Sequence, residues 1–164
     1  MVKLREYFYN CKFLKKLNEV SDNCCDDNGN KYIDFDLIDS NLATVDTLII
    51  RDKYLVFVEF KRFEVLDKEK IEKWINNKEK IQQINLKGYE SYFIVKNLCK
   101  KLNINNFEEI EKRFVLVYKA EDAKKKIKNH FKSKINRLQV AYNLVIVREC
   151  NNFIKLLQRI ENVF

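Results

Sequence analysis

Residues 45–62, VDTLIIRDKYLVFVEFKR, decide the fold of this chain. Two apolar runs, VDTLII and YLVFVEF, flank a short polar break at residues 51–53, a pattern that predicts a β-hairpin. If the turn centres on Asp52 and Lys53, Asp46 on the first strand lies directly opposite Glu59 on the second. Cross-strand neighbours of this kind have Cβ atoms about 4.5–5.5 Å apart. The stretch therefore predicts two adjacent carboxylates at one end of a hairpin.

Lys61 joins these carboxylates, because residues two apart on a strand point to the same face. Charged groups at the end of a largely apolar strand face have a chemical role more often than a packing role. The alternative is that Glu59 and Lys61 are solvent-facing charges on an edge strand, where they block aggregation. Both faces of the second strand are apolar, however, and this favours a central, buried strand pair.

Composition limits the classes of protein to which the chain can belong. Its 164 residues are 46% hydrophobic and 34% charged, which favours one domain with a sizeable core over disorder. The net charge of +8 favours an anionic partner, first nucleic acid and second a membrane surface. No apolar run has the length of a membrane span, and the N-terminus lacks a signal-peptide core. Five cysteines without a CxxC pair favour a reducing compartment, cytoplasmic or nuclear.

Hydrophobic periodicity predicts the other elements. We expect helices over residues 2–20, 66–86, 89–102, 120–138 and 151–164. We expect strands over residues 31–38, 113–119 and 140–148, besides the hairpin. The resulting order, α-β-β-β-α-α-β-α-β-α, predicts a single α/β domain over residues 1–164, in which helices cover a central mixed sheet.

The predicted cluster has the composition of a magnesium site. Mg²⁺ prefers carboxylate and water oxygens, and Asp46 and Glu59 are of the right type to share one ion. The backbone carbonyl of Phe60 is a candidate third ligand. Lys61 is positioned to neutralise a phosphate or to orient an attacking water. The cluster therefore predicts hydrolysis of a phosphodiester, with Mg²⁺ or Mn²⁺ as cofactor.

With Asp46 followed by a hairpin and Glu59-Phe60-Lys61, the chain resembles the PD-(D/E)XK nuclease superfamily. The resemblance implies a restriction-endonuclease-like fold with an αβββαβ core, here followed by additional C-terminal helices and a strand. It also implies a metal-dependent endonuclease with Asp46, Glu59 and Lys61 as catalytic residues. Many members add a glutamate from the first helix, for which Glu19 and Glu6 are the candidates. Residue 45 is valine where the family name has proline.

A second acidic cluster and a basic helix complete the candidates. Asp34, Asp36 and Asp39 form either a minor alternative metal set or an ordinary polar edge. Five cations of the basic helix are candidate nucleic-acid contacts: Lys124, Lys125, Lys128, Lys132 and Arg137. The alternative for this helix is a merely solvated face.

The partner expected for this chain is DNA or RNA rather than a membrane, and a homodimer would suit cleavage of two strands. Two other functions are compatible with the same residues. One is a non-catalytic nucleic-acid-binding or protein-interaction module that retains the fold. The other is an accessory protein of a virus or mobile element that acts through another protein.

Overall fold

A computed structural model describes residues 1–9, 13–38, 42–64, 66–121 and 123–161, with backbone only for residues 158–161. A six-stranded sheet forms its centre, with the strands in the order β1-β2-β3-β4-β5-β6. The strands are β1 (Leu14–Lys16), β2 (Lys31–Asp34), β3 (Thr47–Ile50), β4 (Tyr54–Arg62), β5 (Glu111–Lys119) and β6 (Leu144–Glu149). Strands β1 to β4 pair antiparallel, whereas β4–β5 and β5–β6 pair parallel. The predicted α/β architecture with a mixed sheet is confirmed.

Six α-helices accompany the sheet in the described part of the chain. They are α1 (Val2–Tyr9), α2 (Leu17–Val20), α3 (Lys68–Asn76), α4 (Lys78–Lys101), α5 (Lys124–Lys134) and α6 (Cys150–Glu161). Short 3₁₀ turns cover Phe35–Leu37, Phe107–Glu109 and Asn136–Val140. In the ranges described, no helix has the length and apolar character needed to cross a membrane.

Helices pack on both faces of the sheet, and the alternation of side chains along β4 separates the two cores. Leu55 and Phe57 belong to the core under α1, α3, α4 and α5. Val58 and Phe60 belong to the core under α2 and α6. Glu59 and Lys61 share the parity of Leu55 and Phe57, so their side chains point toward the α4 face. The prediction that the hairpin is buried on both faces is confirmed.

The register of the hairpin is the one predicted from its turn. Thr47 pairs with Val58 and Ile50 pairs with Leu55. Extending this ladder by one residue brings Asp46 opposite Glu59, just before the first residue of β3. The short polar turn fixes this register because a slip of one residue would exchange the two buried faces of each strand.

The single helix predicted over residues 2–20 is wrong. Helix α1 ends at Tyr9, residues 10–12 lie outside the described part, and Leu14 pairs with Ile33 on β2. The Lys15 ammonium is 2.5 Å from the Asp34 carboxylate on the same pair of strands. Sheet pairing and this ion pair override the apolar spacing that indicated a continuous helix.

The helices after the hairpin divide at a different residue from the one predicted. The break falls at Asn77, whose side chain accepts hydrogen bonds from the backbone N–H groups of Glu79 and Lys80 at 2.9 and 3.2 Å. The predicted break near Gly88 is absent, and α4 runs through it. A Cβ at Gly88 would lie 2.8 Å from Leu138, so this glycine permits close packing instead of ending the helix.

Several boundaries of the other elements also differ from the predictions. The strand predicted over residues 31–38 ends at Asp34 and becomes a 3₁₀ turn. The helix predicted over residues 120–138 is α5 followed by the 3₁₀ turn Asn136–Val140. The last strand, predicted over residues 140–148, is β6, and α6 follows it directly. The chain contains no proline and two glycines, so few residues mark such boundaries.

The structure joins Cys25 and Cys150 in a disulfide that the sequence did not predict. The two residues are 125 positions apart, and the odd number of cysteines without a recognisable spacing gave no reason to pair them. Cys24 and Cys99 are buried free thiols, and Cys11 lies outside the described residues.

Candidate functional site

Asp46 and Glu59 meet at the end of the hairpin away from its turn. The Glu59 side chain is fully buried, whereas that of Asp46 is 16% exposed. Asp46 Oδ2 accepts a hydrogen bond from the backbone N–H of Phe60 at 2.5 Å. This bond continues the hairpin ladder beyond β3 and fixes the Asp46 carboxylate beside β4.

Two ammonium groups neutralise the carboxylates. Lys61 Nζ donates to Glu59 Oε1. Lys87 Nζ, from α4, is 3.2 Å from Asp46 Oδ1 and 3.1 Å from the Glu59 carboxylate. Both lysine side chains are about one quarter exposed, so solvent reaches this end of the site. The Glu59 charge is buried but paired, as the cost of desolvating a carboxylate requires.

Helix α4 also positions the segment that leads into Asp46. Ser91 Oγ accepts a hydrogen bond from the Val45 N–H at 2.8 Å, and the Glu90 carboxylate accepts one from the Ala43 N–H at 2.5 Å. Ser91 is fully buried. Lys87, Glu90 and Ser91 therefore form one polar ridge on α4 that holds residues 43–46 against the sheet.

Burial and the neighbouring charge of Glu59 raise the pKa of Asp46 to about 7. Lys87, Lys61 and the Phe60 N–H oppose this increase. The pKa of Lys87 is raised because, although burial favours the neutral amine, the charges of Glu59, Asp46 and Asp36 outweigh that effect. The site thus contains two carboxylates and two ammonium groups in direct contact.

The donor atoms match the ligand preferences of a hard divalent cation. Since Lys87 Nζ lies close to both carboxylates, a cation near the same point would have both within reach. The N–H of Phe60 points toward Asp46, and in an extended strand the C=O of a residue points to the same side as its N–H. The Phe60 carbonyl therefore faces the same region. Mg²⁺ is commonly held by one or two carboxylates with water completing its shell, so these residues fit the ion.

The glutamates expected from the first helix lie elsewhere. Glu6 is an exposed residue of α1. Glu19 lies on α2, where its carboxylate accepts a hydrogen bond from the Lys16 N–H at 3.0 Å and caps its own helix. Among the described residues, no group of three Asp, Glu, His or Cys side chains is arranged to hold a metal. Neither glutamate is brought together with Asp46 and Glu59.

Asp34 and Asp36, two members of the second acidic cluster, have different partners. Asp34 is paired with Lys15. Asp36 accepts a hydrogen bond from Thr44 Oγ1 at 2.6 Å and is close enough to raise the pKa of Lys87. Asp39 lies outside the described residues. Asp36 is therefore a peripheral acid of the site, whereas Asp34 has a structural partner.

The predicted basic surface begins beside the same end of the sheet. Lys61 is the neighbour of Tyr118 across the β4–β5 ladder, and Tyr118 Oη donates to the carbonyl of Lys124 at 3.1 Å. The five predicted contacts, Lys124, Lys125, Lys128, Lys132 and Arg137, are all exposed. Arg137 lies on the 3₁₀ turn after α5, and Lys124 is 2.5 Å from Glu149.

Lys87 is the site residue that the sequence analysis missed. The one indication in the sequence is its spacing on the helix: Lys87 lies three residues after Ile84 and four before Ser91, both of which are buried, so it lies beside the buried face of α4. A charged residue beside the buried stripe of a helix that crosses a strand pair is a candidate partner for a buried carboxylate.

Comparison with known proteins gives no further guide: no family model, no curated protein and no solved structure matches this chain.

Proposed function

We propose that the protein is a metal-dependent nuclease of the PD-(D/E)XK type, which hydrolyses phosphodiester bonds of DNA or RNA. The observation that carries the proposal is the hairpin register, which brings Asp46 beside Glu59 with Lys61 on the same face. These are the three residues that the family motif requires. The Phe60 N–H bond to Asp46 supports the proposal, because it holds the Asp46 carboxylate beside β4 and close to Glu59.

The order of the elements supports a restriction-endonuclease-like core. Helix α1, strands β2, β3 and β4, helix α4 and strand β5 follow one another in the order αβββαβ. The short β1, α2 and α3 are insertions in this order, and α5, β6 and α6 follow it. The proposed site lies where β4 ends, and α4 returns the chain across it.

In this proposal, Asp46, Glu59 and the Phe60 carbonyl hold Mg²⁺ or Mn²⁺, which would activate a water and stabilise charge on the phosphate. Lys61 is exposed enough to meet the substrate, and its ammonium orients the attacking water or neutralises a phosphate oxygen. Lys87 pairs with both carboxylates in the metal-free protein, and a cation bound between them would have to displace its ammonium group. The exposed lysines of α5 attract the nucleic-acid backbone.

The proposal is tested by incubating purified protein with single- and double-stranded DNA and RNA in Mg²⁺, Mn²⁺ or EDTA. We expect cleavage that requires the divalent ion and is lost in Asp46→Ala, Glu59→Ala and Lys61→Ala. Lys53→Ala is the matched control, because Lys53 is an exposed lysine at the opposite end of the same hairpin. Circular dichroism establishes that each variant remains folded. Cleavage that survives all three site substitutions would contradict the proposal.

A second candidate is a nucleic-acid-binding module that does not cleave. The observation that favours it is the Lys87 ammonium between the two carboxylates, together with the absence of a third acidic ligand among the described side chains. In that case the lysine is a permanent substitute for the metal. Binding of an oligonucleotide at low salt, with no cleavage in any divalent ion, would support this candidate over the nuclease.

A further inference from the structure

Helix α4 carries two exposed apolar side chains on the side away from its buried residues. Leu86 is 48% exposed and Phe93 is 56% exposed. The other large apolar side chains of this helix are buried or half-buried. Residues seven apart on an α-helix lie on the same side of it, so Leu86 and Phe93 form one surface, the apolar pair.

Polar residues flank the apolar pair symmetrically. Gln82 lies four residues before the first member of the pair, and Asn97 lies four residues after the second. Glu79 lies seven residues before the first member, and Lys100 lies seven residues after the second. All four polar residues are exposed. Together with the apolar pair they form the α4 stripe, which has an acid at one end and a base at the other.

The α4 stripe is complementary to a second copy of itself. If two α4 helices pack antiparallel with Leu86 opposite Phe93 of the second copy, the equal spacings also place the two amide side chains opposite each other. Glu79 then faces Lys100 of the second copy at both ends of the contact, where opposite charges attract. A parallel arrangement would instead bring like charges together. The charges therefore favour an antiparallel pair, which has two-fold symmetry.

A groove beside Leu86 offers a place for the aromatic ring of a second copy. Gln82, Leu86, Tyr89 and Arg137 line it, and its volume is about 570 Å³. In the antiparallel arrangement, Phe93 of the second copy lies at the level of this groove and would enter it, as a side chain of one helix packs between those of a facing helix. Aromatic residues at the centre of an interface commonly carry much of its binding energy.

We propose that the protein forms a two-fold homodimer through the α4 stripe. The apolar pair forms the centre of the contact, and the Glu79–Lys100 pairs form its ends, which are about 32 Å apart along the helix. A two-fold axis between antiparallel helices keeps each flank of α4 on the same side in both copies. The two Lys87 side chains, and with them the two candidate sites, would therefore face one side of the dimer. Dimer formation itself does not depend on metal-dependent cleavage.

The proposal is tested by sedimentation equilibrium of the full chain in EDTA over a range of protein concentrations. We expect a reversible dimer. Phe93→Glu and Leu86→Glu should each raise its dissociation constant by at least about tenfold, because each replaces a central apolar contact by a charge. Leu144→Glu is the matched control, because Leu144 is an exposed apolar residue of β6 that shares the parity of Ile146, on the face of the sheet opposite α4. Circular dichroism establishes that each variant remains folded.

Exchange of the end charges tests the antiparallel register. Glu79→Lys and Lys100→Glu each bring like charges together at both ends and should raise the dissociation constant by about 3-fold to 10-fold. The double variant restores opposite charges and should dimerise as the wild type does. Asp46→Asn should also dimerise as the wild type does, which separates this surface from the nuclease centre.

Three results would overturn the proposal. One is a protein that stays monomeric up to millimolar concentration, and another is a dimer that neither Phe93→Glu nor Leu86→Glu weakens. The third is a double charge variant that dimerises less well than either single variant, which would exclude the antiparallel register. If Phe93→Glu instead weakens the binding of a single-stranded oligonucleotide to a monomeric protein, the stripe is a nucleic-acid surface and the dimer is likewise excluded.

Discussion

The two ends of the β3–β4 hairpin carry charge in opposite ways. At one end, the buried carboxylate of Glu59 and the nearly buried one of Asp46 are neutralised by Lys61 and Lys87. At the turn end, Arg51 has a buried donor without an acceptor in the described part of the chain. The first end is neutralised by the protein's own charged groups, whereas the second keeps one buried donor unsatisfied. A cation at the first end would therefore have to displace Lys87, while no described group of the protein satisfies Arg51 Nε.

The largest expected effect at the carboxylate end is on catalysis. Asp46→Asn keeps the size of the side chain and removes one proposed metal ligand. We expect the rate of Mg²⁺-dependent cleavage to fall by at least about 10³-fold, a loss typical of removing a principal electrostatic group of an active site. Single-turnover kinetics measure this rate. Arg51→Gln, at the other end, should retain metal-dependent hydrolysis of a dinucleotide-sized substrate; equal losses in both variants would remove the distinction between the ends.

The second effect is on the stability of the metal-free protein. Lys87→Met leaves Glu59 with Lys61 alone and Asp46 without its ammonium partner. We expect the free energy of unfolding in EDTA to fall by about 1–3 kcal/mol, the cost of leaving a buried polar group unsatisfied. Urea denaturation measures it, with Lys80→Met, an exposed lysine of the same helix, as the control.

The same Lys87→Met variant should bind Mn²⁺ more tightly than the wild type, because the ion no longer competes with an ammonium group. Isothermal titration calorimetry measures this affinity independently of cleavage. If Lys87→Met loses no more stability than Lys80→Met and its Mn²⁺ affinity is unchanged, the Lys87 ammonium does not occupy the position at which a metal ion would bind.

The third and smallest expected effect is on how the stability of the protein depends on pH. The pKa of Asp46 in the folded protein is raised to about 7 from an ordinary value of 3.8. As the pH falls, the folded state therefore binds this proton at a higher pH than the unfolded state does. The Asp46 contribution is therefore fully present below pH 3.8, decreases as the pH rises, and is lost above about pH 7. We expect the difference in unfolding midpoint between the wild type and Asp46→Asn, in EDTA, to change between pH 5 and 8. A constant difference would mean that Asp46 ionises normally.

The sequence predicts the register of the hairpin, because the register is determined by residues that are close together in the chain. The two apolar runs and the short polar turn are enough to set the register, and with it the neighbourhood of Asp46 and Glu59. The side of the sheet on which Glu59 and Lys61 lie follows from strand alternation alone.

The remaining features depend on contacts between distant parts of the chain. Lys87 reaches the carboxylates only because α4 crosses β4. No sequence pattern near residue 87 predicts that this helix packs across this strand. The pairing of Leu14 with Ile33 likewise replaces a helix that local spacing favours. The opening that Arg51 lines lies where β2 and β3 stop pairing, and an ordinary alternating sequence on β2 does not indicate where that pairing stops.

A crystal structure of the protein soaked in Mn²⁺, with the ion located by its anomalous scattering, tests the proposed metal site most directly. We expect a peak about 2.1 Å from carboxylate oxygens of both Asp46 and Glu59. We also expect Lys87 Nζ to have moved away from both carboxylates. A structure in which Lys87 still bridges the two carboxylates, with no peak between them at saturating Mn²⁺, would show that Asp46 and Glu59 do not form a metal site.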